Sequence, residues 1–221
     1  GINGCDNYDS LIENSDILFL GVKPVVFPTL LPQITKSVKK KNPLVVSMAA
    51  GLTTDSIKEM LGYDAKIIRI MPNVNAAIAM STTAVCKNEF ASDEDLATIK
   101  NLFSSIGLTT EVPENQFAIF TAIAGCSPAY VYMFIDGLAR GAQKMGMNKL
   151  KALEIAASAV IGSASMYAQS NEHPQELVDK VCSPGGTTIE GVTTLEEYKF
   201  TAGVVKAVEN SILKDRELSK K

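Results

Sequence analysis

The sequence contains no tryptophan, one histidine and few aromatic residues, which make up 6% of the chain. Proteins that hold single-stranded nucleic acid usually stack its bases on aromatic side chains, so this composition argues against such a role. The formal net charge of −3 provides no attraction to nucleic acid or to an anionic membrane surface. The most apolar stretch, residues 155–168, is interrupted by serines and is shorter than a transmembrane helix. We therefore expect neither nucleic acid nor a membrane as a partner.

The chain also lacks the cysteine and histidine patterns of metal sites. Its four cysteines are widely separated and none forms a C-x-x-C pair, so neither a zinc site nor a redox motif is predicted. The only histidine, His173, precedes a proline in a polar stretch and is a poor candidate for a Ser-His-Asp triad. We expect no metal, and a reduced, cytoplasmic setting in which the thiols stay free.

Short apolar runs alternate with helix-like segments in the first half of the chain. The apolar runs predict strands over residues 17–22, 44–48, 67–71, 83–87 and 109–112. The segments between them predict helices over residues 8–14, 27–40, 53–61 and 92–106. The last helix should begin at the Ser92-x-x-Asp95 cap, with Gly107 as the residue after its end. This alternation is typical of a mostly parallel sheet in an α/β, Rossmann-type fold.

The second half has no strand signal, and its apolar residues recur at helical spacing. This pattern predicts helices over residues 118–145, 149–169, 174–181, 188–197 and 200–217. Pro128 should kink the first of these helices or mark its true start, and Gly146 should end it. Because the helices are apolar on more than one face, we expect them to bury surface against a partner subunit. The predicted domains are residues 1–114, a partial dinucleotide-binding domain, and residues 115–221, an all-helical substrate and dimerisation domain.

The segment from residue 182 to residue 190, Cys-Ser-Pro-Gly-Gly-Thr-Thr-Ile-Glu, is the most informative for function. Pro184 stops the preceding element, and Gly185 and Gly186 permit positive φ and a close approach to the backbone. Thr187 and Glu190 fit the capping box that begins a helix. A helix start offers free N–H groups to a small anion such as a carboxylate. An ordinary capped helix after a tight turn is the alternative that the spacing leaves open.

Small or polar residues follow three of the predicted strands. Gly21-Val22-Lys23-Pro24 follows the first, Met48-Ala49-Ala50 ends the second, and Asn73 follows the third. Ligands of doubly wound sheets bind at the carboxyl ends of strands, so together these segments favour a nucleotide site. Each also has a structural explanation: a turn with a solvated lysine, tight strand-to-helix packing, and a cap for a helix over residues 75–80. The usual G-x-G-x-x-G fingerprint is not present.

The motifs DILFLGVKP, VSMAAGLT, RIMPN, AIAGCSPAYVYMFIDGLARGAQKMGM and VCSPGGTTIEG occur in the order and spacing of one known family. Over essentially the whole chain, the sequence resembles the pyrroline-5-carboxylate reductases. The resemblance implies a Rossmann domain followed by an interlocking helical domain. It implies reduction of the C=N bond of 1-pyrroline-5-carboxylate to L-proline with NADPH or NADH, the final step of proline biosynthesis. It also implies a homodimer and, beyond it, a decamer of dimers.

The same resemblance assigns roles to residues. The substrate carboxylate would be held by the helix start after Ser183, and the Thr188 hydroxyl would orient the ring nitrogen or pass it a proton as the catalytic group. Glu114 matches a family carboxylate near the substrate or the nicotinamide, and its alternative role is an acid at a helix start. The implied substrate ligands are Glu114, Ser183, Gly185, Gly186, Thr187 and Thr188. The implied cofactor ligands are Gly21, Val22, Lys23, Pro24, Met48, Ala49, Ala50 and Asn73.

The resemblance is incomplete at its beginning. Family members usually open with a strand, a Gly-rich turn, a helix and a second strand, and about fifty residues of this kind are missing, judged from the length of one such unit. We expect the chain to be a fragment of a longer protein, with the pyrophosphate and adenosine sites outside it. Lys180 stands where some members have an amide that touches the cofactor. Two hypotheses of other kinds stay open: a catalytically silent dimerisation module, and a hydroxy acid dehydrogenase that uses Lys144.

Overall fold

Five strands form one mixed sheet in the computed structural model, which describes residues 3–218. In their order across the sheet they are β1 (Ile17–Leu20), β2 (Leu44–Ser47), β3 (Ile67–Met71), β4 (Ser81–Lys87) and β5 (Gly107–Glu111). The first three strands are parallel, β4 is antiparallel to β3, and β5 is parallel to β4. The predicted α/β fold with a mostly parallel sheet is confirmed.

Both faces of the sheet are covered, as parallel strands require. The helices of this part of the chain are α1 (Tyr8–Glu13), α2 (Phe27–Lys41), α3 (Thr54–Leu61) and α4 (Asp93–Ser104). Because successive side chains of a strand point to opposite faces, neighbouring residues of β2 enter different cores. Val45 belongs to the buried cluster of Phe27 on α2, whereas Val46 belongs to the cluster of Ile99 on α4. This packing fixes the strand ends at which a nucleotide site was predicted.

The start of α4 matches the prediction, and its end does not. Ser92 and Asp95 form the expected capping box, in which each side chain accepts a hydrogen bond from the other residue's backbone N–H. The helix ends at Ser104, however, and Gly107 is the first residue of β5 rather than the residue that follows the helix. Gly107 has φ 139°, and a Cβ built on it would lie 2.1 Å from the carbonyl oxygen of Ser81. Close approach of β5 to β4 is therefore what requires glycine here.

The second half of the described chain is helical. Its α-helices are α5 (Phe117–Phe120), α6 (Ser127–Lys144), α7 (Lys149–Ala168), α8 (Pro174–Val181), α9 (Thr187–Glu197) and α10 (Phe200–Leu218). A π-helical segment, Thr121–Cys126, joins α5 to α6, and Pro128 lies in the first turn of α6. Gly146, with φ 99°, follows the end of α6 as predicted.

One helical run in this half is longer than the sequence pattern indicated. It extends over Glu114–Lys144, 31 residues, with a mean hydropathy of 1.6 in its most apolar window, of which 17% is buried. By length and composition alone such a run could cross a membrane, and among the described residues it is the one helix with that property. Its apolar surface needs a covering of some kind.

The contacts within the chain divide it into two compact units. Among the described residues, one unit comprises residues 3–126 together with residues 209–218, and the other comprises residues 127–208. The first contains the sheet, and the second contains α6 to α9 with the first part of α10.

Candidate active site

The ends of β1 and β2 lie side by side and carry the first two predicted cofactor segments. A Cβ built on Gly21 would have one neighbour within 4 Å, the sulfur of Met48 at 3.8 Å. Gly21, Val22 and Lys23 are exposed, and Pro24 begins a short 3-10 turn, Pro24–Val26. In the second segment Ala49 is buried and Ala50 is exposed, and Gly51 follows with φ 78°. The small side chains leave an accessible backbone at these two strand ends, which fits one ring of a dinucleotide.

Asn73, the third predicted cofactor segment, is engaged by the protein itself. Its Oδ1 accepts hydrogen bonds from the backbone N–H of Asn75 at 3.2 Å and of Thr82 at 3.3 Å. Asn73 thereby caps the 3-10 helix Val74–Ile78, which is the structural alternative that the sequence left open. Its Nδ2 donates to the carbonyl oxygen of Ala124 at 2.9 Å.

The bond to Ala124 follows from the position of Pro128. In an α-helix the carbonyl of residue 124 would accept from the N–H of residue 128, and proline has no N–H. The Asn73 amide provides a partner for this carbonyl, as buried carbonyls require. Asn73 therefore connects the end of β3 to the long helical run.

Glu114 is also surrounded by partners from its own unit. Its Oε1 accepts from the backbone N–H of Thr54 at 2.8 Å and from Nη1 of Arg69 at 3.3 Å. Its Oε2 accepts from the Thr54 hydroxyl at 2.8 Å. Arg69 is 5% exposed, and its guanidinium carbon lies 4.5 Å from the centre of the Phe117 ring. Glu114 is the first residue of the helical run Glu114–Lys144, so the predicted acid at a helix start is confirmed. Its carboxylate also accepts the N–H of Thr54, the first residue of α3.

The partnership of Glu114 with Arg69 and Thr54 was not predicted from the sequence. A signal was present, because Arg69 is the charged residue of the otherwise apolar run IIRIM, and a charge in a buried strand needs a partner. Cys86 lies opposite Arg69 in the β3–β4 pairing, and the charges of Arg69 and Glu114 act on its thiol. Burial and, next, the Glu114 carboxylate raise the pKa of the Cys86 thiol to about 12, so this thiol is neutral at physiological pH.

The Ser183–Thr188 segment forms an exposed turn that leads into α9. The N–H of Gly186 donates to the carbonyl of Ser183 at 3.0 Å, with Pro184 second in the turn and Gly185 third at φ 66°. This sequence and this φ match a type II turn. A Cβ built on Gly186 would lie 2.4 Å from the Ser183 hydroxyl oxygen, so that hydroxyl lies beside the start of the helix. Thr187 and Thr188 are exposed.

The predicted capping box of Thr187 and Glu190 is wrong. The N-cap is Gly186, in an extended conformation with ψ 169°, and no side chain caps the helix. Thr187 is already the first helical residue, so its hydroxyl is one position too late to act as the cap. Without a side-chain cap, the first N–H groups of α9 have no side-chain acceptor, which favours ligand binding at this helix start.

Other candidate residues have structural roles. Nδ1 of His173 accepts from the N–H of Gln175 at 3.2 Å and caps α8, which is not the setting of a triad histidine. Lys180 pairs with Glu172, with Nζ and Oε2 2.5 Å apart. Within residues 3–218, no three His, Cys, Asp or Glu side chains gather into a possible metal site.

Comparison with known proteins identifies the family. Residues 114–218 match the family model described as pyrroline-5-carboxylate reductase dimerisation. The chain is 42% identical over 220 residues to the pyrroline-5-carboxylate reductase of Escherichia coli, covering 100% of this chain and 81% of that protein. The solved Streptococcus pyogenes 1-pyrroline-5-carboxylate reductase is 40% identical with a TM-score of 0.85, covering 95% of this chain and 79% of that one. The Plasmodium falciparum pyrroline carboxylate reductase with NADP bound is 31% identical with a TM-score of 0.88, covering 96% and 80%.

The sheet with open strand ends, followed by a helical dimerisation region, defines a Rossmann-type oxidoreductase. The chain belongs to the pyrroline-5-carboxylate reductase family. Membership of this family favours the reductase over the two other hypotheses, the silent dimerisation module and the hydroxy acid dehydrogenase.

Proposed function

We propose that this chain reduces 1-pyrroline-5-carboxylate to L-proline with NADPH or NADH, the last step of proline biosynthesis. The observation that carries the proposal is the Ser183–Thr188 turn, which opens an uncapped helix in a chain 42% identical to a reductase of this substrate. The substrate combines one carboxylate with one imine, and the chain offers groups suited to each.

The substrate carboxylate binds at the start of α9. The N–H groups of the first helical turn and the positive end of the helix dipole attract an anion. The Ser183 hydroxyl lies beside Gly186 at the same helix start and donates a further hydrogen bond. Gly185 and Gly186 keep the turn free of side chains, so that the carboxylate reaches the backbone. Thr187 contributes its backbone N–H rather than its side chain.

The ring nitrogen binds at Thr188. The Thr188 hydroxyl is exposed on the first turn of α9, one residue after Thr187. It orients the imine nitrogen and passes a proton to it as the double bond is reduced. A positioned donor of this kind contributes typically about 10²-fold or more to a rate. Thr188 is therefore the proposed catalytic residue.

The nicotinamide half of the cofactor binds at the ends of β1 and β2, against Gly21, Val22, Lys23 and Pro24 and against Met48, Ala49 and Ala50. When bound, the cofactor supplies the hydride that the imine carbon accepts. The open backbone at Gly21 and Ala50 supports this placement. For Asn73 we propose an indirect part, because its Oδ1 and one Nδ2 hydrogen are already bonded within the chain.

The helical half forms the dimer. A groove of about 1020 Å³ between α6, α9 and α10 is lined almost entirely by apolar side chains, among them Val131, Leu138 and Val204. A second subunit bound to this face would cover the exposed apolar side chains of α6. The apolar helical run therefore does not require a membrane around it. We propose a homodimer, with a decamer of dimers as the larger assembly. We also propose a cytoplasmic location, which the four free cysteines support because cytoplasmic thiols stay reduced. We also keep the domain boundary between residues 114 and 115, supported by the start of the family match at residue 114.

Oxidation of NADPH or NADH in the presence of 1-pyrroline-5-carboxylate tests the function. The assay should compare this chain with a version that carries whatever coding sequence precedes it. Activity that appears with the substrate and not without it, in either version, is the expected result. A stable dimer that is inactive in both versions would contradict the proposal and favour the silent dimerisation module.

A further inference from the structure

The Glu114 carboxylate accepts three hydrogen bonds from within the chain. The Thr54 N–H and Arg69 bind its Oε1, and the Thr54 hydroxyl binds its Oε2. These three bonds hold the carboxylate in place within the chain, which favours a positioning role for Glu114.

The cluster is charged and largely shielded from water. Arg69 and Glu114 have side-chain exposures of 7% and 26%, and Thr54 is 4% exposed. Removing such charges from water costs free energy that the pair's own attraction often fails to offset. Buried ion pairs are therefore weak evidence of stabilisation, and a role in fixing geometry is the more informative hypothesis.

The geometry that the cluster fixes is that of the loop 48–53. This loop leaves β2 and ends at Thr54, the first residue of α3. Near its beginning, the N–H of Ala49 donates to the Ser47 hydroxyl at 3.3 Å. At its far end, Thr54 is held by Glu114 through both backbone and side chain. Between these two attachments lie the exposed Ala50 and Gly51 with φ 78°.

We propose that Glu114 and Arg69 are positioning residues, which hold the loop 48–53 in place for the nicotinamide half of the cofactor. The inference rests on the proposed function, because it takes the cofactor segment Met48–Ala50 from it. Glu114 acts through Thr54, and Arg69 holds Glu114 while lying against Phe117. Changes in this cluster should affect cofactor binding and leave substrate binding unchanged.

The test uses Glu114→Gln and Thr54→Val in the full-length protein. Glu114→Gln removes the charge opposite Arg69, and Thr54→Val removes the hydroxyl that binds Oε2. The matched control is Glu111→Gln, an exposed glutamate of β5 that pairs with Lys100 at 3.8 Å. Nicotinamide fluorescence gives the Kd for NADPH without catalysis, and steady-state kinetics give the KM of each substrate.

We expect both variants to raise the Kd and KM for NADPH by roughly tenfold, since small displacements of positioning groups have effects of this size or larger. The KM for 1-pyrroline-5-carboxylate should stay within about twofold of the original, and the control should change neither constant. A raised KM for 1-pyrroline-5-carboxylate with unchanged NADPH binding would overturn the proposal in favour of direct substrate contact. Lower stability in urea with all constants unchanged would overturn it in favour of a purely structural cluster.

Two further outcomes separate this inference from the proposed function. If Glu114→Gln fails to fold, Thr54→Val decides, because it keeps the ion pair and nearly the same side-chain volume. If the unmutated protein binds NADPH but does not reduce 1-pyrroline-5-carboxylate, the proposed function fails. The positioning role would still stand on weaker NADPH binding by the two variants.

Discussion

The sheet-containing unit buries its own apolar side chains, and the helical unit does not. The largest fully buried side chains all lie between residues 12 and 117. In α6 and α7 the buried residues are Pro128 and three alanines, and α8, α9 and the described part of α10 have none. Meanwhile Phe134, Leu138 and Leu195 are each more than a third exposed. The first unit can stabilise itself, whereas the second has the surface of half an interface.

Polar groups follow the same division. In the sheet unit Asn73 and Glu114 are bonded to other parts of the chain and set its geometry. In the helical unit the Ser183–Thr188 turn is exposed, and its helix start has no side-chain cap. Mutations in the first unit should therefore act mainly on stability and positioning. Mutations in the second should act on assembly and on chemistry.

Phe27→Ala should have the largest effect on stability. Phe27 is fully buried in the cluster beneath β1 and β2, so truncation leaves a cavity. The loss in free energy of unfolding should be roughly 3–5 kcal/mol, measured by urea denaturation. Val25→Ala is the matched control, since Val25 is 79% exposed in the same unit and should change stability by less than about 0.5 kcal/mol. A loss at Phe27 no greater than at Val25 would contradict a self-sufficient core.

Leu138→Glu should break the assembly. Leu138 is 43% exposed and lines the apolar groove of the helical unit. A carboxylate buried there in a dimer would have no partner, so we expect dimerisation to weaken by about 100-fold or more. Analytical ultracentrifugation across a range of protein concentrations measures the effect. Leu108→Glu, at a 65% exposed site on β5, should leave the mass unchanged. A variant at Leu138 that remains as tightly associated as the original would place the interface elsewhere.

Thr188→Ala should lower turnover without affecting assembly or folding. The hydroxyl is exposed, so its loss should change the free energy of unfolding by less than about 0.5 kcal/mol. If it orients the imine nitrogen and supplies its proton, kcat should fall by a factor on the order of 10². Thr194→Ala, which removes a hydroxyl that donates to the Glu190 carbonyl in the same helix, is the control. Equal kcat values for the two variants would remove Thr188 from the mechanism.

The sequence predicted the local elements well because each depends on neighbouring residues. The strand 67–71 and the helix 174–181 have the predicted bounds, and the Ser92–Asp95 box caps α4 as expected. The misplaced cap at Thr187 is a local error of one residue, since the extended Gly186 is the N-cap and the helix already starts at Thr187. Single-sequence patterns set such boundaries least reliably.

Contacts between distant parts of the chain were not predictable in the same way. The partners of Glu114 are 60 and 45 residues away, at Thr54 and Arg69. The partner of Asn73 is 51 residues away, at Ala124, and depends on the missing N–H of Pro128. The motifs of the sequence pointed to Glu114 and Asn73, but only the fold shows that both side chains are already bonded within the chain. The family resemblance identified the reaction, and the contacts of Glu114 and Asn73 within the chain support the indirect parts proposed for them.

The smallest predicted effect concerns the pH dependence of the sheet unit, through Cys86. Burial raises the pKa of this thiol from 9.0 to about 12, so the folded protein keeps a proton that the unfolded chain loses above pH 9. The free energy of unfolding should therefore decrease as the pH rises from 8 to 9.5, and Cys86→Ala should remove this part of the decrease. Denaturation in urea at several pH values measures the two slopes. If the free energy of unfolding depends on pH in the same way in Cys86→Ala and the original, the thiol has the same pKa in the folded and unfolded states. Water would then reach the surroundings of Arg69 and Glu114 more freely than the structure indicates.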